Sequence, residues 1–163
     1  MTTHTTTIRT AVPEDIPVLR ELFEAGMHEG QVQINDTGAD IEQLDAAYFA
    51  PEAQGGFWVA SRGDEIAGMI GVQRVDDSVA EVRRLRVRPQ YRRQGVATAL
   101  MSHAVRFCRE HDFLKVVLDV RVERIAAIQL FEKFGFYLSR INDHQGRKTL
   151  EFFVDLYSEP EQH

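Results

Sequence analysis

The chain has 163 residues, 44% of them hydrophobic and 27% charged, which suits one globular domain with a full hydrophobic core. Its formal net charge of −6 argues against nucleic-acid binding as the main role, and no apolar run approaches the ~20 residues of a membrane-spanning helix. The single cysteine, the lack of a signal peptide and the lack of a Cys/His cluster at metal-ligand spacing predict a cytoplasmic protein without a structural metal.

The N-terminal third predicts one strand and two helices. Residues 1–6 are expected to be a disordered lead-in, and the strand follows at Ile8–Thr10. Pro13, Glu14 and Asp15 then open a helix, because proline suits the first turn and acidic groups suit the positive end of the helix dipole. A loop is predicted from 26 to 38, and a short helix from 40 to 48.

The remaining elements are marked by turn residues and by apolar periodicity. They end in a frayed tail at 158–163, which leaves a single domain over residues 7–157. The predicted order is strands at 57–61, 66–72 and 79–87, a helix from Gly95, a strand at 115–120, a helix at 125–134 and closing strands at 136–141 and 149–156.

Residues 81–100 carry the strongest indication of a ligand. They predict a strand, then an arginine-rich turn, then a helix that begins at Gly95. A helix start offers unpaired N–H groups and partial positive charge, and glycine lets a phosphate approach the backbone. Six arginines lie between residues 83 and 93, whereas the first sixty residues contain ten acidic residues and two arginines.

Five of these six arginines divide into two groups. Arg83, Arg84 and Arg88 are interpreted as a solvated strand face and turn. Arg92 and Arg93 adjoin the glycine turn and are assigned to phosphate binding.

Two segments resemble the GCN5-related N-acetyltransferase (GNAT) family. Arg92–Ala97 resembles the family's (Gln/Arg)-x-x-Gly-x-(Gly/Ala) loop, which holds the pyrophosphate of acetyl-CoA. Ala126–Phe136 resembles the family's Ala-Ile-x-Leu-Tyr-Glu-Lys-x-Gly-Phe segment, beside the acetyl thioester. The resemblance covers residues 6–156 and implies an α/β fold of the GNAT acyl-CoA N-acyltransferase type, with a mixed, mostly antiparallel central sheet flanked by helices.

The resemblance also implies the residues that would bind acetyl-CoA, the cosubstrate. The pantetheine arm would pair with the end of the central strand, the pyrophosphate would lie on the glycine turn, and an aromatic ring would pack against the thioester end. The cofactor-binding residues expected on this basis are Leu85, Arg86, Val87, Arg92, Arg93, Gln94, Gly95, Val96, Ala97, Thr98 and Phe131.

Glu81 is the candidate catalytic residue. An acceptor amine arrives protonated, since an alkylammonium has a pKa near ~10.4, and it must lose a proton before it attacks. Glu81 lies fourteen residues before Gly95, where some members of the family carry a catalytic glutamate. The alternative is a rim glutamate paired with Arg83 or Arg84.

Two positions depart from the family pattern. Phe131 replaces the tyrosine that often protonates the departing thiolate, and Arg124 replaces a common asparagine. Tyr137, Ser139 or water could supply the proton instead. Cys108 lies on the apolar face of a helix, and burial as a small hydrophobe is preferred for it over a role as an acetyl-accepting nucleophile.

The leading hypothesis is therefore direct transfer of acetyl from acetyl-CoA to a primary amine in a ternary complex. The alternative is an acyl-CoA-binding regulatory domain with weak or no catalysis, and a nucleic-acid-binding module is a third. Residues 26–50 would shape the acceptor site, and the turn at 142–147 would close over it. The acidic residues of the N-terminal segment favour a cationic acceptor, with solvated helix faces as the alternative explanation of these charges. The acceptor's identity, the acyl preference and the pathway stay open, and a homodimer is possible.

Overall fold

The computed structural model describes residues 5–29 and 35–156. Its strands are β1 (Thr6–Thr10), β2 (Gly56–Arg62), β3 (Glu65–Arg74), β4 (Val79–Val87), β5 (Lys115–Arg121), β6 (Tyr137–His144) and β7 (Arg147–Asp155). The α-helices are α1 (Ile16–His28), α2 (Ala39–Glu42), α3 (Val96–Glu110) and α4 (Ile125–Lys133). Single 3₁₀ turns lie at Pro13–Asp15 and Pro89–Tyr91, and a π-helical turn lies at Asp45–Phe49.

The described strands form one seven-stranded sheet in the order β1-β2-β3-β4-β5-β7-β6. Every neighbouring pair is antiparallel except β4 and β5, which run parallel because α3 crosses over between them. The predicted mixed, mostly antiparallel sheet flanked by helices is confirmed.

Each face of the sheet has its own hydrophobic core, and strand alternation divides the residues between them. On β2, Phe57 and Val59 join the core under α1 and α2, whereas Trp58 and Ala60 join the core under α3 and α4. All four side chains are at most 5% exposed. Helices thus cover both faces of the sheet, and the centre of the molecule is reached through a gap between two of its strands.

That gap opens between β4 and β5. Their pairing is limited to three residue pairs, from Val79–Lys115 to Glu81–Val117. Beyond Glu81, β4 carries a bulge at Arg84, whose φ of +62° lies in the left-handed region, and its register with β3 shifts there. The bulge turns β4 away from β5, so the strands separate toward their C-terminal ends.

The boundaries of most elements match the predictions, and three differ. Helix α1 continues past Gly26 to His28, because this glycine lies against the Arg86 side chain and is not a break. The predicted helix at 40–48 is split into α2 and the π-helical turn. The closing strands are longer than predicted and are joined by Gln145–Gly146 alone, where both residues have positive φ.

The chain ends lie largely outside the described residues. Of the predicted lead-in at 1–6, only Thr5 and Thr6 are among the described residues, and Thr6 already belongs to β1. The predicted tail at 158–163 lies wholly outside. Within the described ranges, no helix is long and apolar enough to cross a membrane.

Candidate active site

Two cavities open beside β4 where it separates from β5. The α3–α4 groove, of about 550 Å³, lies between β4, the turn before α3 and the start of α4. The α1–α2 cavity, of about 560 Å³, is bordered by β4, β5 and residues before and within α2. Leu85, Arg86 and Arg124 line both, so the two cavities meet at these residues.

The α3–α4 groove collects almost all the residues expected to bind the cofactor. Those that line it are Leu85, Arg86, Val87, Arg92, Arg93, Gly95, Val96, Ala97 and Thr98. The opposite wall of the groove consists of Glu123–Ala127 and Leu130, and none of these residues is among those expected to bind the cofactor. The resemblance at Ala126–Phe136 had indicated α4 as a whole, but which side of α4 meets the groove depends on its packing.

Gln94 and Phe131 do not line the groove. The Gln94 side chain holds the turn together: its Nε2 donates to the Gln90 carbonyl at 2.9 Å, and its Oε1 accepts from Arg62 at 3.1 Å. Phe131 is 3% exposed and packs near Phe136 and Phe152, with ring centroids 6.1 and 6.3 Å away. Phe131 is therefore part of the core beneath α4.

The start of α3 forms an open cradle at one end of the groove. Gly95 precedes the helix with a φ of +80°, and a Cβ on it would meet no atom within 4 Å. The first bond of the helix runs from the Ala99 N–H to the Gly95 carbonyl at 3.0 Å, so the N–H groups of Val96, Ala97 and Thr98 have no partner inside the helix. These donors and the helix dipole suit an anionic group.

Two arginines flank this cradle. Arg93 is exposed and has a φ of +63°, so it sits at the tightest point of the turn. Arg92 lies 3.1 Å from Glu29, which follows α1, and this ion pair ties the turn to the end of α1. The cradle and its arginines offer the donors and the positive charge that an anionic group needs, and the lining of the groove continues from the cradle to Leu85–Val87 on β4.

Glu81 and Asp119 place two carboxylates on the wall of the α1–α2 cavity. Glu81 pairs with Val117 across the ladder, and Asp119 lies two residues further along β5, so both face the same side of the sheet. Burial raises the pKa of Glu81; Asp119 raises it further, and Arg83 opposes the rise. Arg83 Nε lies 3.7 Å from Glu81 Oε1, so Glu81 faces the cavity and also pairs with an arginine.

Arg84 is not on a solvated strand face, and that interpretation was wrong. Its side chain is 8% exposed and binds two carboxylates: Nη2 donates to Asp36 Oδ1 at 2.7 Å, and Nε donates to Asp40 Oδ2 at 3.1 Å. Burial alone would raise the pKa of both carboxyls, but the Arg84 hydrogen bonds outweigh it and hold both pKa values below their usual range. The Tyr48 hydroxyl also donates to Asp40.

The acidic N-terminal residues that favoured a cationic acceptor are largely engaged with arginines. Asp36 and Asp40 share Arg84, Glu42 binds Arg20 at 2.6 Å, and Glu29 binds Arg92. Within the described part of the chain, Glu81 and Asp119 remain the carboxylates that border the α1–α2 cavity without a hydrogen-bonded arginine. Any attraction for an ammonium group therefore centres on β4 and β5.

The meeting point of the two cavities is cationic. Arg124 caps the start of α4, and its Nη2 donates to the Leu85 carbonyl at 3.1 Å across the gap between the strands. Arg86 is 7% exposed and lies 3.8 Å from Glu29. Burial lowers the pKa of Arg124 to about 10, with the charges of Arg86 and Arg92 adding to this effect and Glu29 opposing it.

Cys108 lies away from both cavities. It is fully buried in the core under α3, where burial raises the pKa of its thiol to about 12. A thiol in that state is a poor nucleophile. Among residues 5–29 and 35–156, no three His, Cys, Asp or Glu side chains are grouped so as to hold a metal ion.

Comparison with known proteins identifies the family of this chain. Residues 19–136 match the family model of the acetyltransferase (GNAT) family. The chain belongs to the GNAT acetyltransferase family. The GNAT match includes β4, the glycine turn, α3 and α4, so every element that forms the α3–α4 groove lies inside it.

Individual relatives place the chain more closely. Human N-acetyltransferase 8 is 31% identical over 102 residues, and the N-acetylaspartate synthetase of Danio rerio is 34% identical over 98 residues. Each alignment covers 60% of this chain, but only 44% and 34% of the respective relative. The GNAT chain described here thus spans less than half the length of either relative.

Solved GNAT structures share the whole fold. An acetyltransferase from Salmonella typhimurium, yncA, determined with its cofactor acetyl-CoA, superposes with a TM-score of 0.77. The alignment covers 96% of each chain at 17% sequence identity. A likeness at this identity establishes the fold alone.

Proposed function

We propose that this protein transfers the acetyl group of acetyl-CoA to a primary amine in a ternary complex. The observation that carries this proposal is the separation of β4 from β5, which joins an anion cradle on one side to a carboxylate-lined cavity on the other. A thioester held in the α3–α4 groove and an amine held in the α1–α2 cavity would meet at the gap. Relatives named N-acetyltransferase and N-acetylaspartate synthetase support the reaction class.

Different residues of the groove would bind different parts of the cofactor. The N–H groups from Arg93 to Ala97 would bind the pyrophosphate, with Arg92 and Thr98 beside it. The backbone at Leu85–Val87, which lies beyond the end of the β4–β5 ladder, would hold the pantetheine arm. Acetyl-CoA supplies an activated acetyl thioester. Gly95 matters most here, since the space that a side chain would fill is the space that the phosphates need.

Glu81 would accept the proton of the attacking amine, directly or through a water. Burial raises the pKa of Glu81, which makes its carboxylate a better base than that of an ordinary glutamate. Glu81 can accept a proton only as a carboxylate, and the amine can attack only in its neutral form. We therefore expect kcat/KM to fall as the pH drops through the pKa of Glu81 and through that of the amine.

The acceptor is proposed to be a small molecule or a protein amine, held in the α1–α2 cavity. A further cavity shares Asn35 and Arg121 with it and ends at the β6–β7 turn, which supports the predicted part of that turn in acceptor selection. A cationic acceptor stays a prediction that now depends on Glu81 and Asp119. Cytoplasmic location, independence from metals and a homodimer also stay predictions.

A thermal-unfolding shift tests the proposal first. Acetyl-CoA at ~100 times its Kd should add ~2.7 kcal/mol to the free energy of unfolding, or roughly 5–10 °C, and ATP at the same concentration should add much less. Release of free thiol across a panel of amines then tests transfer. Equal shifts with acetyl-CoA and ATP, or none, would overturn the assignment of the cofactor.

The alternative is a regulatory domain that binds acyl-CoA with little or no catalysis. Phe131 favours it, because this ring is buried in the core and carries no hydroxyl where the family often has one. A clear shift with acetyl-CoA but no thiol release with any amine, at any pH between 6 and 10, would favour this alternative.

A further inference from the structure

Among the described residues, none that lines both cavities carries a hydroxyl, and Thr37, which lines the α1–α2 cavity alone, accepts from the Ala39 N–H at 3.3 Å before α2. Phe131 is in the core, Tyr137 is 67% exposed on β6, and the Ser139 hydroxyl donates to the Glu151 carbonyl at 3.1 Å. None of the three lines either cavity. In the α3–α4 groove, Thr98 belongs to the α3 cradle and the Tyr91 hydroxyl donates to Glu65 at 2.8 Å.

Arg124 occupies the meeting point instead. It borders both cavities, and its hydrogen bond to the Leu85 carbonyl sets its guanidinium across the gap between β4 and the start of α4. One such bond leaves most of the five guanidinium donors available. A cation that is half-buried with donors to spare can bind an anion strongly, since little water competes for it.

The carboxylates nearest to Arg124 are paired with other arginines. Arg86 on β4 and Arg92 in the turn both lie within 4 Å of Glu29, which follows α1. Arg121, three residues earlier in the chain, lies 3.4 Å from a carboxylate oxygen of its own neighbour Glu123. By contrast, no carboxylate of the described residues lies within 4.0 Å of Arg124, although Glu29 acts on it from further away.

We propose that Arg124 stabilises the coenzyme A thiolate as it leaves, in place of protonation by a hydroxyl. The inference rests on the acetyl transfer proposed above. The amine nitrogen attacks the thioester carbonyl, a C–N bond forms, and the C–S bond breaks with its electron pair on sulfur. The amine's proton passes to Glu81 or water, and Arg124 pairs with the thiolate, which takes up a proton from solvent after release.

The direct test is the thiol pKa of coenzyme A bound to the protein, followed by the ultraviolet absorbance of the thiolate. Free coenzyme A should titrate near ~8.5, like cysteine, and the bound thiol should titrate at about 7.5 or below, because a cation in contact favours the charged form. The affinity for coenzyme A should then rise about tenfold between pH 7 and pH 9. Desulfo-coenzyme A has no thiol, so its affinity should not rise with pH.

The variants assign the effect to Arg124. Arg124→Gln keeps a donor for the Leu85 carbonyl but loses the charge, so the bound thiol should return to a pKa of about 8.5 while desulfo-coenzyme A still binds. Arg124→Lys keeps the charge and should restore part of the effect. Arg121→Gln is the matched control, since Arg121 borders the α1–α2 cavity and not the groove, and the thiol pKa should stay low.

The outcomes separate this inference from the proposed function. If neither acetyl-CoA nor desulfo-coenzyme A binds the wild-type protein, both proposals fail. If coenzyme A binds with a thiol pKa near ~8.5, or if Arg124→Gln retains the low pKa, only the role of Arg124 is overturned. It is also overturned if Arg124→Gln lowers the affinity for desulfo-coenzyme A as much as the affinity for coenzyme A, since Arg124 would then bind another part of the cofactor. It is overturned too if Arg124→Gln slows transfer only to amines that carry a carboxylate, since Arg124 would then bind that carboxylate.

Discussion

The two cavities beside β4 differ in their lining, which is mainly backbone in one and mainly charged side chains in the other. The α3–α4 groove presents mainly backbone: the helix start at Gly95 and the part of β4 beyond the end of its ladder with β5. The α1–α2 cavity presents charged side chains that hold one another in place, with Arg84 between Asp36 and Asp40. A groove made of backbone depends on the fold and tolerates many sequences, whereas a cavity made of ion pairs depends on each partner.

The largest effect expected from this contrast concerns stability. Arg84→Met should lower the free energy of unfolding by up to about 3–5 kcal/mol, because it leaves the half-buried carboxylates of Asp36 and Asp40 without their cation. Urea unfolding at pH 7 measures the change. Arg88→Met is the matched control on the same segment: Arg88 pairs with the exposed Glu21 and Glu65, and its loss should cost less than ~1 kcal/mol. Equal effects of the two variants would contradict the contrast.

The next effect concerns catalysis in the α1–α2 cavity. Glu81→Gln should lower kcat/KM by about 10²-fold and remove the acid limb that Glu81 contributes to the pH profile. Acetyl-CoA affinity should not change, because Glu81 does not line the α3–α4 groove. Asp119→Asn should lower the pKa of Glu81 by removing a neighbouring negative charge, which shifts that limb to lower pH. A profile identical to wild type in Glu81→Gln would exclude Glu81 from the mechanism.

A smaller effect tests the backbone cradle. Gly95→Val should weaken acetyl-CoA binding about tenfold or more, since it fills the open space at the helix start and strains a φ of +80°. Titration calorimetry measures the affinity. Gly146→Val is the control for strain alone: Gly146 has a φ of +82° and equally open surroundings, but it lies in the β6–β7 turn. Matching losses of affinity in both variants would rule out a local cradle at Gly95.

The smallest effect is a pH dependence of stability. The pKa values of Asp36 and Asp40 are lowered in the folded protein, so their contribution is present above the unfolded pKa of ~3.9 and is lost as the pH falls through the folded values. Urea unfolding between pH 5 and pH 3 should show this loss. The double variant Asp36→Asn/Asp40→Asn should give a flatter curve, and an unchanged slope would mean that other groups carry the dependence.

Local chemistry made much of the fold predictable. Gly95 precedes α3 and Gly135 follows α4, both with positive φ, and the hairpin of β2 and β3 turns at Gly63–Asp64. These residues mark boundaries because their conformational freedom acts within a few residues. The open helix start at Gly95 was predictable for the same reason, since a glycine there needs no distant partner, and its role in anion binding stays a prediction.

The rest depended on contacts between remote segments. Arg84 binds residues 44 and 48 positions earlier, and it reaches them only because the β4 bulge redirects its side chain. Arg124 acquires its place only when β4 and β5 separate, which no local pattern of either strand indicates. Phe131 lies in the core and not in the groove because its side of α4 packs near Phe136 and Phe152.

The short β4–β5 ladder also has a mechanical consequence. With three residue pairs between them, the strands β1 to β4 form one leaf of the sheet, and β5, β7 and β6 form another. By contrast, β5 pairs with β7 along its whole length, from Lys115 to Arg121. A small rotation of one leaf against the other would therefore change the width of the gap without disturbing the ladder inside either leaf. The last pair that joins the two leaves, Glu81 with Val117, lies beside the proposed site of proton transfer.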